Sequence, residues 1–413
     1  MNLYLFNEND SAARFGIGTY LNELTHALKG ADIHIRIVHL HSTRPEFLIE
    51  KTDEIENWHI PEVRNQNTFD GPIQKVEDYF RNVIYLLRLN IKDTANLVFH
   101  FNYNLSYALA KGLKEVFVCK TVTTIHFMKW ALELHGNLSR FRALKSKPED
   151  RMNPFEQFLK TTDDYESLLY KVADRVIALS NYTKKLLIEE YHIEPDKIAV
   201  IQNGLTDERN FSDTVKVKAN LRRKWHIPEN ELLIVFAGRL QGVKGLTFLI
   251  RAFRKVLDII PDCRLLIAGN GHFDSYICES KDLCSKISFA GLLEKKELYE
   301  IYQIADIGVM PSLHEQCGYV AIEMMMHGIP LITSTSAGLK EMVEDGISGF
   351  HVPVTEQTDK KEIDTDLLAE KILNILQNSD ERKKMGEHAR KRFEELYTSN
   401  RARKNMLELY NQL

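Results

Sequence analysis

No apolar run in this chain reaches eighteen residues, so none is long enough to cross a membrane as a helix, although the protein could still sit on one. Cysteine is scarce and unpaired in pattern. Cys119, Cys263, Cys278, Cys284 and Cys317 are five, an odd number, with no C-x-x-C, which fits neither a disulfide framework nor a zinc site and points to a reducing compartment. A basic excess is also missing: the formal net charge is -4, which disfavours a nucleic-acid binder. The opening MNLYLFNEND lacks a basic leader and a signal-length apolar stretch, and reads as a first strand, so a cytoplasmic setting is expected. The two Gly-x-Gly pairs, Gly16/Gly18 and Gly269/Gly271, do not continue as a dinucleotide fingerprint, which disfavours a nicotinamide cofactor.

What is present is an α/β rhythm. Short apolar runs at 3–6, 33–40, 96–101, 120–125, 175–180 and 197–201 alternate with amphipathic stretches, and the pattern restarts at 232–238, 263–269, 287–291, 306–311 and 329–334. At 413 residues the chain is too long for one core. The polar stretch 203–216 separates the two series, predicting an N-terminal Rossmann-like domain over 1–205, a second over 206–390 and a terminal helical stretch over 391–413. Strands of the second series end in Gly, Pro or Ser, at the carboxyl edge where doubly wound sheets open onto ligands.

Several residues at those edges carry chemistry. In PSLHEQCGYVAIEMMMHGIPLITS, Glu315 precedes a helix that Gly318 opens and Glu323 lies inside it, a spacing suited to two sets of sugar hydroxyls rather than a metal. The competing reading is a helix-start acid and a solvated acid. In VFAGRLQGVKGLTF, Arg239 follows a strand and Lys244 begins a helix, two cations that await an anion; solvated surface cations are the alternative. The segment TSTSAGLKEM turns backbone N–H groups around Gly338 and Leu339 toward oxygen anions. Gly16 permits a close backbone approach before an amphipathic helix, and His126 follows a strand, where an imidazole points into the crevice or serves only the core. Asn203, turning with Gly204 into the linker, is read mainly as structure, with a side chain able to line the crevice.

EQCGYVAIEMMMHGIPLI resembles the donor-binding signature of the retaining family-4 glycosyltransferases, and the resemblance extends over nearly the whole chain. It implies a GT-B fold, two facing Rossmann-like domains with an interdomain cleft, and a terminal helix, 391–413, that packs back on the first domain. It implies further that Glu315 contacts the donor sugar, Glu323 the ribose, Arg239 and Lys244 the leaving diphosphate, Gly16, Gly338 and Leu339 the phosphates, and His126 the transferred sugar. Cys317 replaces the usual Phe, as in related glucan synthases, and is read as packing. The activity so implied is transfer from a UDP- or GDP-sugar to a glycan or lipid-linked hydroxyl with retention, the leaving phosphate helping to take the acceptor proton. No metal and no resident cofactor is expected. A non-catalytic sugar-nucleotide-binding subunit, and an epimerase or phosphorylase on the same architecture, are the alternatives.

Two features invite other readings. Asp364 and Asp366 make a D-x-D pair, but the apolar run after them makes Asp366 a helix cap. Arg140, Arg142, Lys145, Lys147 and Arg151, near Phe127, Met128, Trp130 and Phe141, could hold a peripheral enzyme on anionic lipid at the inner membrane face, though a solvated loop is the commoner explanation.

Overall fold

In the computed structural model, residues 1–8, 16–52, 55–62, 72–102, 104–209 and 215–413 are described. They divide into two units. The first comprises Met1–Trp130, Leu144–Asn203 and Ala402–Leu413, the second Ala131–Ala143 and Gly204–Arg401.

The first unit is built on strands β1 (Asn2–Asn7), β2 (His34–Ser42), β3 (Leu48–Thr52), β4 (Ile55–Pro61), β5 (Leu97–Phe101), β6 (Cys119–Ile125), β7 (Arg175–Ala178) and β8 (Ile198–Val200). They pair in the order β3-β4-β2-β1-β5-β6-β7-β8, parallel except for β3 against β4. Every residue of β1 and of β5 is buried, as expected of central strands covered on both faces. Tyr4, Phe6, Phe99 and Phe101 pack ring against ring between them. Helices Gly16–Leu28, Tyr107–Val116 and Pro154–Val172 each turn a face of Leu, Ala or Tyr inward.

The second unit holds β9 (Leu232–Ala237), β10 (Cys263–Ala268), β11 (Ile287–Gly291), β12 (Ile307–Met310), β13 (Leu331–Ser334) and β14 (Gly349–Val352), all parallel in the order β11-β10-β9-β12-β13-β14. A small antiparallel pair, β15 (Val354–Glu356) and β16 (Lys361–Ile363), follows. Helix Leu246–Leu257 buries Leu246, Leu249, Ile250 and Phe253 against this sheet. Both sheets are therefore of the doubly wound, Rossmann-like kind.

The division differs in detail from boundaries at 205/206 and 390/391. Residues 131–143 group with the second unit because Asn137 Nδ2 donates to Gln357 O (2.7 Å), Ser139 N to Glu356 Oε1 (2.8 Å) and Lys361 Nζ to Gly136 O (3.1 Å). Helix Ser379–Leu396 stays with the second unit, where Arg390 donates to Met326 O (2.8 Å) and pairs with Asp207. The return to the first unit comes at 402, where Arg403 donates to the carbonyls of Ala27 and Lys29 beyond helix Gly16–Leu28, a favourable place for a cation. Of the 203–216 linker, 210–214 lie outside the described residues.

One sequence reading is corrected, and another is narrowed. Asp364, not Asp366, caps helix Thr365–Gln377, accepting from the N–H groups of Asp366 (2.8 Å) and Leu367 (3.2 Å), while Asp366 pairs with Lys255 (2.5 Å). Phe141, Trp130 and Met128 are buried, so they cannot insert into a bilayer; Lys147 pairs with Glu156 and Lys145 donates to Glu190 O. Among the described residues no helix is long and apolar enough to cross a membrane, and no group of three His, Cys, Asp or Glu side chains is placed to hold a metal.

Candidate active site

In the second sheet the chain order reverses between β9 and β12, the position where open α/β sheets receive ligands beyond their strand ends. Three loops converge there. After β9, Gly238 and the exposed Arg239 lead into a 3-10 turn, Gly242–Lys244, whose last residue is Lys244. After β12, Leu313 N donates to Val243 O (2.7 Å), which sets the Pro311–Gly318 loop beside that turn. After β13, Gly338 N donates to Glu315 O (2.8 Å), fixing Glu315 from the other side.

The result is an ion pair between Lys244 Nζ and Glu315 Oε2, with side chains 19% and 18% exposed. Each opposite charge offsets the partial burial of the other. Leu339 N donates to Ser336 O (3.0 Å), so the Gly338 and Leu339 amides, read from the sequence as turned toward oxygen anions, are both engaged within the protein, the first of them holding Glu315. Gly318 stands at the N-cap of helix Tyr319–Met326, and Cys317 is buried in packing.

Glu323 lies one turn into that helix with a different partner, the Tyr302 hydroxyl, which donates to its Oε2 (3.2 Å). Removal from water raises its carboxyl to about 7, against the opposing pull of Tyr302 and Lys295. Lys361 reaches the same neighbourhood, donating to Leu313 O (3.0 Å), with burial holding its ammonium below the usual lysine range. Tyr302 and Lys361 gave no signal in the sequence, since their relevance depends on a partner 21 or 48 residues away.

In the first unit, the order reverses between β1 and β5. Gly16 opens helix Gly16–Leu28 after β1, and the residues between, 9–15, lie outside the described set. His126 follows β6; its Nε2 is 3.0 Å from Asn102 Oδ1, and burial pushes its imidazole down to about 3, so the ring is neutral. Below it, Glu166 accepts from Asn104 Nδ2 (3.0 Å) and Lys129 N (3.3 Å), bracing the segment after His126; burial raises its carboxyl to about 8. Asn203 is buried at the end of this unit. Arg239 and Lys244 thus share the loop after β9, with Glu315 paired to Lys244, Glu323 stands on the helix after Glu315, and His126, Gly16 and Asn203 belong to the first unit.

A cavity of about 520 Å³ opens at the opposite, amino-terminal edge of the second sheet, lined by Asp306, Pro330, Arg382 and Arg390 among others; of the site residues above only Tyr302, the partner of Glu323, lines it. Two of its basic side chains are tied into the protein, Arg382 to Asp306 and Arg390 to Asp207, and strand-end geometry rather than cavity size locates the candidate site.

Two family models match the chain: "Glycosyltransferase Family 4" over residues 16–209 and "Glycosyl transferases group 1" over 217–392. An uncharacterized glycosyltransferase of Methanocaldococcus jannaschii is 34% identical, over 43% of this chain and 46% of its own length. A D-inositol 3-phosphate glycosyltransferase of Corynebacterium aurimucosum is 29% identical, over 62% and 59%. The chain thus spans about half the length of these curated relatives. Among solved structures, sucrose-phosphate synthase from Thermosynechococcus elongatus superposes with a TM-score of 0.75 at 20% identity, covering 100% of this chain and 98% of that one. Anabaena HepE in complex with UDP and glucose gives 0.71 at 15% identity, with both chains fully covered at 100%. At these identities the likeness establishes the fold, which is GT-B.

Proposed function

Since the chain belongs to the family-4 glycosyltransferases of group 1 type, we propose that it transfers a sugar from a UDP- or GDP-linked donor to a hydroxyl of a glycan or lipid-linked acceptor, retaining the anomeric configuration and using no metal. The observation that carries this reading is the Lys244–Glu315 ion pair at the β9/β12 switch. A sugar diphosphate brings what each partner lacks: phosphate oxygens compete for the ammonium, and sugar hydroxyls donate to the released carboxylate. Lys244 then stabilises the charge that grows on the leaving oxygen, with Arg239 supplying a guanidinium from the same loop. Glu323 accepts from the ribose hydroxyls, Gly318 lets the helix start close to the donor, Gly16 approaches the phosphates, and the Gly338–Leu339 turn, its amides already engaged, holds Glu315 toward the donor. His126 accepts or donates at the transferred sugar, and Asn203 lines the first unit's ligand edge. The HepE structure, with UDP and glucose, supports a donor of the uridine type. A cytoplasmic setting is part of the same reading.

The test is a panel of sugar nucleotides, followed by melting and by donor turnover. The matching donor at 100 times its Kd is expected to stabilise by about 2.7 kcal/mol, a rise of several degrees in Tm. It is also expected to be hydrolysed or transferred with retention, at a rate unchanged by chelator. Stabilisation without any turnover would sink the catalytic assignment, and no response to any donor would sink the whole reading.

Glu323 adds a pH signature. With its carboxyl near 7 before the donor arrives, the acceptor-competent anion is the minor form at pH 6 and the major form at pH 8. Ribose hydroxyls prefer the anion, so donor affinity is expected to rise about tenfold across that interval. Glu323→Gln should bind more weakly at pH 8 and show a flat profile; titrations of the two proteins that run parallel would remove Glu323 from the donor site.

A further inference from the structure

Beneath His126 the first unit carries a set of buried polar side chains to which the proposed reaction gives no task. His100 Nε2 meets Thr124 Oγ1 at 2.7 Å, and Asn102 Oδ1 meets His126 Nε2 at 3.0 Å. Each is a rung from a residue in or just after β5 to one in or just after β6, with the same sequence separation, 24 residues. The strands explain the repetition: β5 and β6 run parallel in register, with His100 opposite Val122, and residues two apart share a face. Tyr20 spans both rungs, its hydroxyl 3.3 Å from Thr124 Oγ1 and its ring edge-on to His126 at 4.6 Å and 73°. The inner rung is closed by Tyr410, on the last helix (Ser399–Asn411), whose hydroxyl lies 2.7 Å from His100 Nδ1. His100, Thr124, Tyr20 and Tyr410 are all buried.

The geometry points to Tyr410 as a positioning residue for His126, acting through His100, Thr124 and Tyr20; this rests on the proposed role of His126 at the transferred sugar. Buried hydroxyls and imidazoles persist only when their hydrogen bonds are made. Burial keeps His100 neutral, with its imidazole pushed down to about 3, so the ring has one N–H and one lone pair. Tyr410 and Thr124 must therefore take opposite roles, so the two hydroxyls are coupled to one another through the His100 ring. Thr124, so fixed, holds the hydroxyl of Tyr20, and the Tyr20 ring fixes the plane of His126 while Asn102 fixes its tautomer. Without the Tyr410 hydroxyl, the buried His100 Nδ1 is left without its partner, the ring is free to shift, and the clamp on His126 loses its anchor.

Tyr410→Phe should lower kcat about three- to tenfold, leave donor KM within about twofold, and shift the imidazole nitrogen resonances of His126, assigned by their loss in His126→Gln. Thr124→Val, which keeps the volume and removes the hydroxyl, should reproduce the effect, and Thr124→Ser should restore it. The second pair keeps the test decisive if Tyr410→Phe folds poorly. Unmoved His126 resonances with unchanged kcat in both Tyr410→Phe and Thr124→Val would overturn the inference. Wild-type turnover in His126→Ala would instead overturn the role of His126, while the resonance shifts would still report whether Tyr410 positions the ring.

Discussion

Lys244→Ala is expected to reduce sugar transfer by about 10² to 10³ while the protein still melts within a few degrees of wild type. The rate effect follows from the loss of a cation placed where negative charge develops on a departing diphosphate, an interaction worth roughly 3–4 kcal/mol in the transition state. The small stability effect follows from exposure. Glu315 is left without its cation, but at 18% exposed it can be rehydrated by a small shift, and partly solvated pairs contribute about 1 kcal/mol or less. Lys244→Arg should recover only part of the rate, because a planar fork on a longer stem does not put its charge where the ammonium sits. The decisive measurement is kcat with donor saturating, beside a melting curve. Turnover within threefold of wild type in Lys244→Ala would mean that the ion pair is a structural contact, and the function would have to be sought elsewhere.

Lys244 and Glu315 stand out as candidates in the sequence because each lies in the loop that follows an apolar run, and the loop after a parallel strand is a position that local pattern reveals. The same holds for the central strands: β1, β5, β9 and β10 are continuous apolar segments covered on both faces. What escaped has a common cause. Strands β3 and β4, LIEKT and IENWHIP, carry charge on an edge hairpin where one face meets water, so their apolar content does not rise above that of a loop. The cap of helix Thr365–Gln377 was placed two residues late because Asp364 and Asp366 are equally good caps, and only the backbone angle at Asp364 decides. The contact of Tyr410 with His100 joins residues 310 apart, which no local pattern encodes. Burial of Phe141 and Trp130 was hidden for a related reason: aromatic side chains among cations look alike whether they face a bilayer or a core.

Gly245 shows how such a long-range requirement acts on chemistry, and Gly245→Ala is expected to destabilise the protein by about 3 kcal/mol or more, lowering Tm by roughly 6–12 °C. Two causes add. The residue has φ +72, a left-handed conformation that costs an L side chain about 1 kcal/mol. A methyl group there would lie 1.8 Å from the carbonyl oxygen of Pro311, and backbone cannot rotate away as a side chain could. Pro311 directly follows β12, and the Leu313–Val243 hydrogen bond ties the same two loops two residues further on, so relief must separate the turn bearing Lys244 from the loop bearing Glu315. Activity should therefore fall further than the unfolded fraction explains, at temperatures where the variant is still folded. Gly346→Ala isolates the steric share: its φ is +75, but no atom lies within 4 Å of the added methyl, so only the conformational cost of about 1 kcal/mol remains. Should the two variants melt alike, the close approach of Gly245 to Pro311 has no energetic weight. The ion pair would then be held by the Leu313–Val243 and Gly338–Glu315 hydrogen bonds alone.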